Sequence, residues 1–212
     1  MRPVTQVRTM LGVSGRRRVV VMARQVFDYD LPDRFVAGTI GQPGSRTFFL
    51  QARTGERLTS VALEKAQVSV LAERIDELLD EVLRRTGGAA PVPALATADS
   101  EDNDPLDTPI EEEFRVGTMS LAWDGESQRV IIECFAEGTA TDDELEAADI
   151  DDDREALANG AVLRVSLTGA LARAFAKRAL AVVAAGRPPC PFCAGPLDPE
   201  GHICPRANGY RR

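Results

Sequence analysis

The chain has 212 residues, 44% hydrophobic and 27% charged, an ordinary globular balance with enough length for a substantial core. No apolar run approaches the roughly 18–20 residues that cross a bilayer. After Arg16, Arg17 and Arg18 only Val19, Val20 and Val21 follow, short of the about 7–15 apolar residues of a secretory leader, so membrane insertion and export are set aside and the expected compartment is the cytoplasm.

The net charge of -8 is concentrated in two runs. Asp99 to Glu113 holds eight acids and no base, and Glu137 to Glu155 holds ten acids against Arg154. Runs of this kind resist burial and read as solvated loops; a basic partner is the minority reading. Residues 1–24 have no apolar period and read as a disordered or mis-annotated extension, with Met22 as an alternative start.

From residue 25 the elements fall into two similar units. The first, 25–87, contains Phe35-Val36-Ala37-Gly38-Thr39-Ile40, a Gly-Pro turn, the β-rich run Thr47 to Leu50, and Val61-Ala62-Leu63 leading into a helix. Val68, Leu71, Ala72, Ile75, Leu78, Leu79 and Val82 then recur at helical spacing and form one buried face. Residues 88–112, with Gly-Gly, Ala-Pro-Val-Pro and then acids, read as an acidic linker. The second unit, 113–186, opens Phe114-Arg115-Val116-Gly117-Thr118-Met119, turns at Asp124-Gly125, and continues through Val130-Ile131-Ile132. An acidic insertion, 137–160, precedes Val165-Ser166-Leu167 and a helix from N-cap Thr168 to Gly186, stopped by Pro188 and Pro189. Val61 aligns with Val165 and Leu71 with Phe175 without a gap, which favours duplication. The expected fold is α+β: two β-β-β-α repeats packed about a pseudo-twofold with antiparallel sheet, followed by a small tail, 187–212.

That tail carries the chemistry. Cys190-Pro191-Phe192-Cys193 is followed by His202-Ile203-Cys204, placing three of the four cysteines and the single histidine within fifteen residues. Structural zinc takes four such ligands tetrahedrally, and Cys190, Cys193, His202 and Cys204 make a Cys3His set. A two-residue gap lets both thiolates of a knuckle face one ion, and residues i and i+2 of an extended segment point to the same side. With almost no apolar content, the tail would draw its folding free energy from the metal. Three other readings stay open: a glutaredoxin-like redox pair, disfavoured because Gly195, Pro196 and Pro199 cannot extend a helix; a fourth ligand from a partner or second chain; and an unligated tail. Cys134 sits in the apolar run Val130 to Phe135 and reads as a buried small hydrophobe.

Little else points to catalysis. The only histidine is taken by the metal set, which removes a Ser-His-Asp or Cys-His pair. The loop Gly38 to Arg46 could hold an anion but matches no phosphate-binding fingerprint, and a plain hairpin turn is preferred. Trp123 reads as packing. The tail's Arg187, Arg206, Arg211 and Arg212 give a small basic excess, which supports nucleic-acid binding only weakly. The reading leans away from an enzyme and toward a scaffold with an unidentified protein partner. The alternative is a small-ligand or catalytic site between the repeats, near Gly38 to Arg46 and Gly117 to Gly125.

Arg34-Phe35-Val36-Ala37-Gly38-Thr39, Thr47-Phe48-Phe49-Leu50-Gln51, Leu63-Glu64-Lys65, Glu113-Phe114-Arg115-Val116-Gly117 and Cys190-Pro191-Phe192-Cys193 through Gly209-Tyr210 resemble an actinobacterial family labelled domain of unknown function 3090. The resemblance spans about Met22 to Arg212. It implies the duplicated domain, the cysteine-bearing tail and a start near Met22, and it implies no mechanism.

Overall fold

The computed structural model describes residues 24–42, 44–97, 102–139, 160–185, 190–193, 204 and 206. The expected N-terminal extension, Met22 and most of the acidic insertion lie outside the described residues. The chain runs β1 (Gln25–Asp30), β2 (Arg34–Ile40), β3 (Thr47–Thr54), β4 (Arg57–Leu63), α1 (Lys65–Arg85), β5 (Glu112–Asp124), β6 (Arg129–Ala136), β7 (Ala161–Thr168) and α2 (Gly169–Ala184). All seven strands form one mixed sheet in the order β1-β7-β6-β5-β4-β3-β2.

The β-β-β-α order occurs twice, as β2-β3-β4-α1 and β5-β6-β7-α2, but the expected antiparallel sheet is corrected. β4 and β5 are parallel neighbours, because α1 carries the chain back to the end of the sheet where β4 began. A displacement of three strands along the sheet carries β2, β3 and β4 onto β5, β6 and β7 with every direction preserved. The sheet is therefore mixed, not antiparallel, with a second parallel pair where β1 joins β7.

The helices form where their side chains dictate. Val68, Leu71, Ala72, Ile75, Leu79 and Val82 of α1 are buried, matching the apolar stripe. The Glu64 N–H donates to Gln67 Oε1 at 2.8 Å, and Gln67 Nε2 donates onward to the Val116 carbonyl at 3.0 Å, tying the helix start to a bulge in β5. Thr168 caps α2 as expected, its hydroxyl accepting from the Leu171 N–H at 3.2 Å.

β1 was not foreseen, although Phe27 and Tyr29 alternate with exposed residues. It sets the shape of the sheet. Six strand spacings of about 4.8 Å would put β1 roughly 29 Å from β2 in a flat sheet. Only Leu31, Pro32 and Asp33 join them, four Cα steps or at most about 15 Å. The sheet must curl, and contacts across the curl confirm it. Tyr29 Oη donates to Thr59 Oγ1 of β4 at 2.7 Å, Arg57 of β4 donates to the Asp28 carbonyl at 2.8 Å, and the Gly55 N–H donates to Asp33 Oδ2 at 2.7 Å. Both helices and Phe27, Tyr29, Leu50, Val61, Ile132 and Val165 share one core cluster. α2 packs beside the β2 edge, with Phe175 stacked on Phe35 at 4.6 Å and Arg178 Nε donating to the Ala37 carbonyl at 2.9 Å.

The acidic run expected to be solvated is docked from Asp102 to Asp107. Arg34 Nε donates to Asp102 Oδ2 at 2.5 Å and Arg178 Nη1 to Asp102 Oδ1 at 2.7 Å, so one carboxylate serves two arginines whose side chains are 9% and 11% exposed. Asp107 pairs with Arg34 and Arg53, while its backbone exchanges two hydrogen bonds with the Gln51 side chain. Leu106 lies on Gly38, where an added Cβ would stand 2.5 Å from Leu106 Cγ. The glycine of the Gly38-Thr39 pair is thus needed for close approach of this strap.

The Arg34 guanidinium beside Asp102 holds its carboxyl below the usual carboxylate range. A depressed carboxyl contributes stability that is present above its unfolded value of about 3.9 and is lost as pH falls through the lower folded value. Asp102→Ala should cost about 3 kcal/mol at neutral pH by leaving two mostly buried guanidinium groups without their shared partner. Urea unfolding should show that difference shrinking once the pH is well below 3.9, and an equal difference at both pH values would refute the assignment.

Candidate metal centre

The Cys190-Pro191-Phe192-Cys193 segment forms a turn, and Cys204 returns to it. Cys190 and Cys204 are 5% and 6% exposed and Cys193 is half-buried. The three Sγ atoms all lie within 4.8 Å of one another. Cys190 Sγ and Cys204 Sγ are 3.7 Å apart. A tetrahedral ion with metal–sulfur bonds of about 2.3 Å sets its sulfurs about 3.8 Å apart. A disulfide would need about 2.05 Å, and all the cysteines are thiols. Three sulfurs at this spacing could hold a metal ion.

The surroundings of Cys190 favour negative sulfur. The Phe192 N–H donates to Cys190 Sγ at 3.4 Å, the geometry a two-residue knuckle imposes. Burial pushes the Cys190 thiol up, but hydrogen bonds from the Cys193 and Phe192 backbones and from the Cys193 and Cys204 side chains outweigh it, and its net shift is downward. Arg206 Nη1 donates to the Phe192 carbonyl at 3.0 Å, clasping the knuckle to the chain beyond Cys204. Among the described residues no second group of His, Cys, Asp or Glu converges in this way. His202, the expected fourth ligand, lies outside the described residues.

The remaining candidates resolve plainly. Cys134 is 0% exposed and burial pushes its thiol up to about 12, so it is a core residue. Trp123 packs against the core. Arg46 donates to the Ala185 carbonyl at the end of α2, which assigns it to the helix terminus and not to an anion. At the two glycines expected to border a groove the packing is tight: Leu106 covers Gly38, and an added Cβ at Gly117 would meet Glu137 Cα at 3.0 Å. The open cavities lie elsewhere. One of about 420 Å³ follows the β4–β5 seam beside Arg53, Ser60, Asp107 and Glu113, and one of about 240 Å³ lies beside Arg34, Phe35, Asp102, Phe175 and Arg178. Sequence reasoning missed this arginine–aspartate centre, because no local spacing connects residues 34, 102 and 178.

Fold and centre together define an α+β protein carrying a three-cysteine cluster that could hold a metal ion. The chain belongs to the family described as a protein of unknown function (DUF3090), whose family model matches residues 27–204. That span contains all three clustered cysteines. No significant match exists among curated proteins or solved structures.

The contrast between the clustered thiols and Cys134 is measurable. In chelator-treated, reduced native protein, Cys190, Cys193 and Cys204 should react with a thiol reagent while Cys134 reacts only after unfolding. A fourth fast thiol would show that Cys134 is accessible.

Proposed function

We propose that Cys190, Cys193 and Cys204, completed by His202, hold one structural zinc ion. The protein would then be a non-enzymatic cytoplasmic interaction or scaffold protein whose metal-bound tail meets a protein partner. The observation that carries this reading is the 3.7 Å sulfur spacing beside a third thiol, which matches the edge of a tetrahedral zinc–thiolate site. Four protein ligands fill the shell and leave no position for a substrate or water, which favours a structural role over a catalytic one. The 62% exposed Phe192 at the knuckle supplies an apolar contact for a partner.

The reading is tested by metal analysis of untagged, reduced protein using plasma mass spectrometry. Stoichiometric zinc is expected, with loss in Cys193→Ser and in His202→Ala. Zinc retained by His202→Ala would remove that residue from the ligand set, and absence of any metal would overturn the reading. Cys190→Ser should also abolish capture of the partner while leaving far-ultraviolet circular dichroism of the sheet and helices unchanged.

A second reading, a small-ligand site between the two units, is favoured by the 420 Å³ cavity at the β4–β5 seam. A thermal-shift screen of small polar ligands should then find binders whose effect is lost in Arg53→Ala.

A further inference from the structure

The three sulfurs of the centre are unequally shielded. Cys190 and Cys204 are buried, while Cys193 is partly open to solvent. The Cys193 side chain also hydrogen-bonds to Cys190 Sγ across the Pro191–Phe192 turn. An oxidant arriving from solvent therefore meets Cys193 first and leaves it beside a second sulfur able to resolve the product. Cys134, fully buried in β6, lies outside this chemistry and serves as an internal reference.

We infer that the centre is a hydroperoxide-responsive switch in which Cys193 is oxidised, Cys190 resolves it, and the bound metal leaves. The inference deepens the metal reading above and rests on it. In the first step the Cys193 sulfur attacks one oxygen of hydrogen peroxide and the O–O bond breaks. Cys193 becomes a sulfenic acid, and the departing hydroxide takes a proton to become water. In the second step the Cys190 sulfur attacks the Cys193 sulfur and the S–O bond breaks. The second hydroxide likewise takes a proton and leaves as water. Two thiolates lose two electrons in all, and one peroxide is reduced to two waters with two protons drawn from solvent.

The product disulfide removes two thiolates from the shell. Cys204 and His202 alone cannot hold a structural ion, and a tail whose folding free energy comes from the metal loosens with it. Oxidation thereby becomes release of whatever the tail contacts. The pair spans a two-residue turn, so the disulfide closes a small ring and stays accessible to reductants, which keeps the switch reversible.

The test uses the full, zinc-loaded chain titrated with hydrogen peroxide. A chromogenic chelator follows released zinc, and peptide mass spectrometry maps the cysteines. Loss of the bound zinc should accompany a Cys190–Cys193 disulfide, with Cys134 still reduced, and dithiothreitol followed by zinc should restore the starting state. Retained zinc under peroxide, a disulfide that instead joins Cys204, or irreversible over-oxidation of Cys193 without a disulfide would each overturn the switch and leave the zinc site standing. A chain that carries no zinc before peroxide is added would overturn the metal reading itself.

Discussion

The constraint on which the rest of the architecture depends is the three-residue link between β1 and β2. These strands are consecutive in the chain yet occupy opposite edges of a seven-stranded sheet. The link cannot span a flat sheet, so the sheet curls and creates a concave interior that the helices fill. Strand β1 crosses the end of the β3–β4 hairpin, where Arg57 lies over the Tyr29 ring at 4.2 Å and the Tyr29 hydroxyl finds Thr59. A buried phenol without a partner would cost about 1–3 kcal/mol, so this hydrogen bond makes the closure specific as well as compact. The far edge, β2, is covered by α2 and by the Arg178 bond to Ala37, which withdraws its backbone from pairing with other chains.

That closure brings together charges distant in sequence. Arg34 enters from the start of β2, Arg178 from the last turns of α2, and Asp102 from the segment between α1 and β5. Burial lowers Arg178 from its ordinary value, and the Asp102 carboxylate offsets part of that effect. Arginine suits the arrangement because its planar fork donates in several fixed directions. Arg34 reaches both Asp102 oxygens and the carbonyls of Asp104 and Pro105 at once. A lysine could supply the charge but not this geometry.

The division between what sequence discloses and what it hides follows from interaction range. The buried stripe of α1, the Thr168 cap and the Asp124 turn are decided within four residues and could be read directly. The parallel β4–β5 joint is decided by where α1 deposits the chain, which strand patterns alone do not encode, so an antiparallel sheet was expected in its place. The acidic strap was misread for a related reason. Counting charge in a window treats Asp102 and Asp107 as solvated, whereas their partners stand 68 and 54 residues away in the chain. The cysteine cluster was legible because its members are close in sequence, and a two-residue gap largely fixes how two thiols can face.

The tail follows a different physical logic from the body. The body is held by a continuous core of buried aliphatic and aromatic side chains and needs no ion to define it. Cys190 and Cys204 are buried, and three sulfurs gathered within 4.8 Å would repel one another were all of them thiolates, a repulsion a cation between them would remove. Their convergence in a segment so poor in apolar residues is what the proposed ion would account for. A divalent ion held between the sulfurs would favour the charged form of all of them together. With the proposed ion bound, the folding of the tail would depend on it in a way the folding of the sheet does not. On that reading, a contact made through the tail could be gained or lost without disturbing the fold that carries it.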